Sequence, residues 1–394
     1  MESKMLEFGS LGHAAIHAVQ RRNFLLGAAS FAGFALAGNA VLAASRLIGK
    51  SSDYIKNISG FSVGEVTTSR HRTSYIEAGP RTGPLMIFVH GHPELGVMWR
   101  AQMEHFAAAG WRCVAPDMRG YGGSSVHAEV SSYAVQEIVT DMIELHDALG
   151  ATAAVWVGHD WGAPIAWAMA SHHPERCRAV INMSVPYMAR GFALPHLVAL
   201  VDRDLYPVEK YPVGQWDYWL YYREQFETAN RDFEIDVPAT IAALYRPGPQ
   251  EAVGKPAFTA TLRQDQGWFG PSHRAPAVAP DFGMIPEADY ELFVSAFSET
   301  GFAGVNAWYL NDAANIEYAT EAQNFGHLDM PVLFLHGDFD VVCETVNSRL
   351  AEPMRDDCAD LSEVRVQGGH FFMVERKEEV NLAMHEWLSK KGIE

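Results

Sequence analysis

Cysteine is scarce in this sequence, and the cysteines that occur are widely separated. The 394 residues include four of them, namely Cys113, Cys177, Cys343 and Cys358. None belongs to a Cys-x-x-Cys pair, the spacing that is typical of structural zinc sites and of redox motifs. We therefore expect no metal site.

Lysine and arginine are in deficit. The chain has 30 of them against 48 aspartates and glutamates, which gives a net charge of −18 at pH 7. Such a charge opposes binding to nucleic acids and to anionic lipid surfaces. The glycine-rich turn at residues 116–125 also lacks the lysine of a phosphate-binding loop, and its glycines do not open a helix as a dinucleotide-binding turn would. We expect no nucleic-acid partner and no cofactor.

The N-terminal residues have the features of an export signal. Arg21 and Arg22 precede an apolar stretch, rich in alanine and glycine, that runs to about Ala44. This pattern resembles a twin-arginine signal peptide, and the small residue Ala43 favours cleavage after it. We predict a signal peptide at residues 1–43, the twin-arginine export machinery as a partner, and a periplasmic or secreted protein without stable membrane association. The alternative is an uncleaved membrane anchor, because the apolar stretch approaches the ~20 residues that span a bilayer.

The first part of the remaining chain alternates between apolar runs and segments with helical spacing. Buried strands are predicted by the apolar runs at residues 85–89, 112–115, 153–157 and 179–185. Strands that alternate with helices are typical of an α/β protein with a mostly parallel sheet and helices on both faces. With 48% hydrophobic residues, the chain can bury a large core.

The alternation stops at residue 187 and resumes near residue 326. The intervening residues are helical and aromatic, with a proline-dotted stretch at 247–286 that has no clear period. So long an irregular stretch inside a compact domain is typical of a lid or binding loop. We predict a core formed by residues 55–186 and 326–394, with residues 187–325 inserted as a mainly helical cap.

The central motif is a strand that meets a tight turn and a helix around Asp160. Gly158 and Gly162 flank this residue, as in a nucleophile elbow, where crossing backbones leave no room for a Cβ atom. An esterase would need serine at this position. A carboxylate instead attacks saturated carbon and becomes an alkyl ester, which water must then cleave. That chemistry suits epoxides and alkyl halides.

Two further residues complete a triad. Asp340 and His370 each follow a predicted late strand, at residues 331–335 and 362–366. Nucleophile, acid and histidine in this order is the α/β-hydrolase arrangement. We assign His370 as the base that activates water and Asp340 as the acid that orients it. Asp338 is the alternative acid.

An oxyanion hole is expected beside the nucleophile. In this architecture one amide comes from the loop after the first parallel strand and another from the residue after the nucleophile. These positions correspond to the backbone N–H groups of His92 and Trp161.

From about residue 58 to the C-terminus, the chain resembles the α/β-hydrolase-fold epoxide hydrolases. The resemblance implies that fold with a cap, and two cap tyrosines that donate to the epoxide oxygen. Tyr218 stands in a segment similar to the family's first, Trp-Asp-Tyr-Trp-Leu-Tyr-Tyr. Tyr309 stands in a segment similar to the second, Asn-Trp-Tyr-Arg, but with Ala307 inserted and Leu310 in place of arginine. The opening epoxide leaves as a basic alkoxide, which needs such a donor.

The resulting hypothesis is an epoxide hydrolase that converts a small-molecule epoxide and water to a vicinal diol. A haloalkane dehalogenase, which shares the aspartate nucleophile, is the alternative. Dehalogenases of this type usually use asparagine or a second tryptophan where this chain has His92 and the tyrosines. A non-catalytic binding protein on the same fold is a third reading, because fold does not fix function.

Overall fold

The computed structural model describes residues 58–393. The predicted signal peptide at residues 1–43 lies outside the described residues. The core is an eight-stranded sheet in the order β1-β2-β4-β3-β5-β6-β7-β8. The strands are β1 (Ser62–Thr67), β2 (Arg72–Ala78), β3 (Leu85–Val89), β4 (Arg112–Pro116), β5 (Ala154–His159), β6 (Cys177–Met183), β7 (Leu328–Gly337) and β8 (Cys358–Val366).

The sheet is mostly parallel, as the alternation of strands and helices predicts. Strands β3 to β8 pair in parallel, whereas β1 and β2 form an antiparallel edge. Every residue of β3 and β5 is buried, because helices cover the central strands. The carboxyl ends of these parallel strands therefore meet at one edge of the sheet.

Thirteen α-helices occur among residues 58–393. They are α1 (Arg100–Ala108), α2 (Val135–Leu149), α3 (Gly162–His172), α4 (Leu194–Val198), α5 (Asp217–Glu224), α6 (Phe226–Glu234), α7 (Val237–Leu244), α8 (Glu287–Thr300), α9 (Ala303–Asn306), α10 (Asp312–Ala319), α11 (Glu352–Asp357), α12 (Phe372–Glu375) and α13 (Lys377–Lys391). Helix α1 packs on α13, and α2 packs on α3. None of the helices in this part of the chain is long and apolar enough to cross a membrane.

Between β6 and β7 the described chain contains helices and turns but no strand. We call residues 187–325 the cap segment. Its proline-dotted stretch forms only short 3-10 turns, at Gln250–Ala252, Phe258–Thr261 and Gly270–Ser272. Side chains from this segment reach the carboxyl edge of the sheet, where Asp160 lies.

Strand β7 begins earlier than the sequence predicts. The apolar run predicts a start at Pro331. The observed strand starts at Leu328, which pairs with Cys358, and the pairing with β8 shifts register between Leu328 and Pro331. Such an irregularity is typical of a β-bulge.

Candidate active site

Asp160 occupies a strained turn between β5 and α3. Its φ angle is +47°, a left-handed conformation that non-glycine residues rarely adopt. The glycines on either side are required by close approach. A Cβ atom on Gly162 would lie 2.0 Å from the Val89 carbonyl oxygen, and one on Gly158 would lie 2.6 Å from the Gly162 carbonyl oxygen. The packing of the turn against β3 holds Asp160 at the end of its strand.

The two carboxylate oxygens of Asp160 have different surroundings. Oδ1 accepts a hydrogen bond of 2.7 Å from the His92 amide, and Oδ2 lies 3.5 Å from Nε2 of His370. Burial would raise the pKa of Asp160, but His370 and the His92 amide together lower it to about 2. The carboxylate is therefore ionised at neutral pH and can act as a nucleophile.

One of the two expected oxyanion donors contacts the nucleophile. Besides the His92 bond, the described residues include no hydrogen bond from the Trp161 amide to Asp160. Trp161 directly precedes helix α3, so its amide is adjacent to the carboxylate in the chain. Its role as a second donor stays a prediction.

His370 lies between Asp160 and Asp340. Its Nδ1 atom is 2.9 Å from Oδ2 of Asp340, whose other oxygen accepts the amides of Val342 and Cys343. Burial disfavours the imidazolium, but the two carboxylates raise the pKa of His370 well above its usual value. Burial also opposes ionisation of Asp340, yet His370 and the amide bonds lower the pKa of that carboxyl.

The structure brings Asp340 to His370 and keeps the alternative acid away. Asp338 forms a 2.8 Å ion pair with Arg365, whose side chain is largely exposed. This pair lies along β7 and β8 rather than in the site.

Tyr218 and Tyr309 belong to the cap segment and line the same cavity as Asp160. Tyr218 lies on α5, and Tyr309 lies on a 3-10 turn at Ala307–Leu310. Both side chains are buried, with ring centroids 5.6 Å apart. Burial and the nearby Asp160 carboxylate raise the pKa of Tyr309 well above 10, and burial does the same for Tyr218. Both phenols therefore carry a proton at neutral pH.

These residues share one cavity of about 620 Å³. Its inner wall includes Asp160, His370 and the two tyrosines, and most of the remaining lining is apolar or aromatic. A carboxylate, an imidazole and two phenols can therefore reach one small apolar molecule.

Comparison with known proteins gives a consistent family. A family model described as the alpha/beta hydrolase fold matches residues 84–235. Epoxide hydrolase A of Mycobacterium tuberculosis is 33% identical over 331 residues, covering 82% of this chain and 96% of that protein. This chain belongs to the epoxide hydrolase family.

Other similar proteins agree. Bifunctional epoxide hydrolase 2 of Sus scrofa is 28% identical over 318 residues, covering 80% of this chain and 53% of that protein. The crystal structure of epoxide hydrolase A from Mycobacterium thermoresistibile is 30% identical and superposes with a TM-score of 0.66, covering 84% of this chain and 98% of that one.

In this member of the epoxide hydrolase family, the residue inserted before Trp308 is accommodated by a change of helix type. Helix α9 ends at Asn306, and the 3-10 turn that follows carries the extra residue. Asn306 turns toward the core and accepts from His92 Nε2 at 2.8 Å, while Tyr309 faces the cavity. The 3-10 turn therefore brings the Tyr309 side chain to the same cavity as Asp160.

A buried pair behind the base was not predicted. Nδ1 of His159 is 2.6 Å from Oε1 of Glu94, and Nε2 of His159 donates to the His370 carbonyl oxygen at 2.8 Å. Both side chains are fully buried. Glu94 and His159 stand beside the predicted oxyanion and nucleophile residues in the sequence, which is the only local signal for the pair.

One group of potential metal ligands occurs among residues 58–393. Donor atoms of Asp340, Cys343 and His370 lie within 4.8 Å of one another. Asp340 and His370 already bind each other, and burial raises the pKa of the Cys343 thiol well above its usual value. A thiolate, the form that binds metals, is therefore disfavoured, and these residues suit a triad better than a metal site.

Proposed function

We propose that this protein hydrolyses epoxides to vicinal diols through an alkyl ester on Asp160. The observation that carries the proposal is a buried, ionised carboxylate facing two protonated phenols across one apolar cavity. In this proposal residues 55–186 and 326–394 form the catalytic core, and residues 187–325 form the cap that contributes the phenols.

The first step is displacement at an epoxide carbon. Oδ2 of Asp160 is the attacking atom, because Oδ1 is occupied by the His92 amide. A lone pair of Oδ2 forms the new C–O bond, and the electrons of the broken C–O bond pass to the ring oxygen. That oxygen takes a proton from Tyr218 or Tyr309, so that a free alkoxide is avoided.

The second step is hydrolysis of the ester. His370 removes a proton from water, and the hydroxide adds to the carbonyl carbon of Asp160. Oδ1 then carries the negative charge of the tetrahedral intermediate, which the His92 amide stabilises, together with the Trp161 amide in this proposal. Collapse of the intermediate breaks the bond between the carboxyl carbon and Oδ2, and Oδ2 leaves with the diol after taking the proton of the added hydroxyl. The carboxylate is restored with an oxygen from water, and the proton on His370 returns through solvent to the tyrosine that donated one.

The second step requires a neutral His370, and formation of the ester favours that form. In the free enzyme the carboxylates of Asp160 and Asp340 both favour the imidazolium. Alkylation converts Asp160 to a neutral ester, which removes one of these charges and lowers the pKa of His370. The base therefore becomes available when water must be activated.

The cavity favours epoxide over halide chemistry. A leaving halide is a poor proton acceptor and is held by fixed N–H donors, as a tryptophan indole could supply. As far as residues 58–393 describe it, the lining includes both phenols and one indole, that of Trp268, whereas Trp161 is not part of it. The two phenols, which can protonate an alkoxide, are therefore the observation that favours the epoxide. Steady-state turnover on aryl and aliphatic epoxides beside matched bromoalkanes tests the proposal. We expect diol from epoxides, and halide release as the faster reaction would overturn it.

Export through the twin-arginine pathway forms part of the proposal. It is supported by Arg21 and Arg22 ahead of the apolar stretch. Replacing both arginines with lysine should leave the precursor in the cytoplasm, as measured by cell fractionation and N-terminal sequencing. An unchanged periplasmic yield would contradict export by this route, and an uncleaved protein in the membrane fraction would favour the anchor.

A further inference from the structure

Glu375 joins the cap segment to the loop that carries the base. It ends the short helix α12, five residues after His370. Its Oε2 atom accepts the Gly369 amide at 2.8 Å and the Gly248 amide at 3.2 Å. Gly369 immediately precedes His370, and Gly248 belongs to the cap segment and lines the cavity. One carboxylate oxygen therefore binds both the cap segment and the loop that carries His370.

The two glycines meet without space for a side chain. A Cβ atom on Gly248 would lie 2.2 Å from the Cα atom of Gly369, and one on Gly369 would lie 2.3 Å from the Cα atom of Gly248. Neither residue has a positive φ angle. Close approach, rather than backbone conformation, is therefore what requires glycine at both positions.

The loop before His370 needs such support. It contains Gly368 and Gly369, and successive glycines give a backbone little conformational preference of its own. The imidazole is held by Asp340 and the carbonyl group by His159. Glu375 holds the backbone just before His370, because it accepts the Gly369 amide.

We propose that Glu375 is a positioning residue that couples the seating of the cap at Gly248 to the placement of His370. The inference rests on the proposed function, in which His370 is the base. With the cap seated, the shared carboxylate fixes the base loop, and the imidazole is aligned with the water that attacks the ester. Because a base is needed only for that step, loss of the contact should slow ester hydrolysis and spare alkylation.

The test compares the two steps in Glu375→Ala and Glu375→Gln, with styrene oxide as the probe. Single-turnover fluorescence and intact-protein mass spectrometry follow formation and decay of the ester. Misplacement of a reacting group by about 1 Å costs roughly 10²-fold, so for Glu375→Ala we expect hydrolysis to fall about tenfold to a hundredfold. Alkylation should stay within about twofold of wild type, because the nucleophile and phenols are untouched.

Two further variants separate positioning from general effects. Glutamine keeps one oxygen that can accept both amides, so Glu375→Gln should restore most of the hydrolysis rate. Glu378→Ala removes a carboxylate that is 82% exposed on the neighbouring helix α13, and should match wild type. Gly248→Ala presses on Gly369 from the cap side with Glu375 intact, and should also slow ester hydrolysis.

The outcomes are distinct. Wild-type hydrolysis in Glu375→Ala, or an equal fall in both steps, would overturn the inference while leaving the proposed function in place. If Glu375→Ala does not fold, the ester hydrolysis rate of Gly248→Ala is the criterion, and a wild-type rate would overturn the inference. A wild-type enzyme that opens styrene oxide without forming an ester on Asp160 would overturn the proposed function and the inference with it.

Discussion

Replacing Tyr218 and Tyr309 with phenylalanine, singly and together, measures how much proton donation contributes to epoxide opening. Both side chains are buried, so phenylalanine preserves the packing of each ring and removes only the hydroxyl. Their rings are 5.6 Å apart, close enough for both hydroxyls to approach one epoxide oxygen. Burial keeps both pKa values well above 10, so each hydroxyl is a donor throughout the neutral range.

The magnitude follows from the loss of a transition-state hydrogen bond. Removing one such donor typically costs about 10²-fold in rate, or about 2.7 kcal/mol. Each single variant should lose about tenfold to a hundredfold in the alkylation rate constant, since the second phenol partly substitutes. The double variant has no phenol left to substitute, so it should lose about 10⁴-fold, which is the full loss of two donors of about 10²-fold each and more than the product of smaller single losses.

The assay is single-turnover alkylation with enzyme in excess, with circular dichroism to confirm folding. Tyr222→Phe is the matched control. Its ring stacks on Tyr309 with centroids 4.7 Å apart, yet it is not part of the described cavity lining, so its rate should equal that of wild type. A folded Tyr218→Phe, Tyr309→Phe double variant that alkylates at the wild-type rate would refute the reasoning and reopen the dehalogenase alternative.

Three other predictions concern pH and stability. The pKa of Asp160 is about 2, so the alkylation rate should stay constant from pH 7 to about pH 4. The ester hydrolysis rate should fall in acid, because His370 becomes protonated. Stopped-flow fluorescence resolves the two steps, and an alkylation rate that titrates near neutrality would contradict this prediction. Gly162→Ala should lower the free energy of unfolding, measured in urea, by about 3 kcal/mol, because the added Cβ atom would lie 2.0 Å from the Val89 carbonyl oxygen. A loss of less than about 1 kcal/mol would show that the turn can relax. Glu94→Ala should lower the free energy of unfolding by roughly 3–5 kcal/mol, because its buried partner His159 loses its acceptor. Glu137 is half-exposed and pairs with Arg70 at 2.7 Å, so Glu137→Ala should lower it by less than about 1 kcal/mol. Equal losses in urea unfolding would contradict this distinction between a buried and an exposed pair.

The core and the triad could be predicted because they depend on local pattern and strand order. Continuous apolar runs locate buried parallel strands, and the carboxyl ends of such strands meet at one edge. Asp160, Asp340 and His370 each follow a strand, so their proximity follows from topology although they are far apart in the chain. Asp340 and Asp338 are two residues apart, and the structure places Asp340 at His370 while Asp338 pairs with Arg365.

The contacts that surround the triad could not be predicted in this way. The hydrogen bond between His92 and Asn306 joins residues 214 positions apart, and it depends on how the cap segment folds onto the core. The same holds for Glu375 and Gly248. Irregular loops have no sequence period, so the partners of their backbone groups become visible only in three dimensions.

The covalent intermediate is the central claim, and trapping it is the most direct test. His370→Gln removes the base but leaves Asp160, the His92 amide and the cap tyrosines in place. Mixed with an epoxide, this variant should accumulate a stable adduct with the mass of one substrate molecule, located by peptide mass spectrometry at Asp160. Full turnover of His370→Gln without an adduct, or an adduct on another residue, would contradict the mechanism.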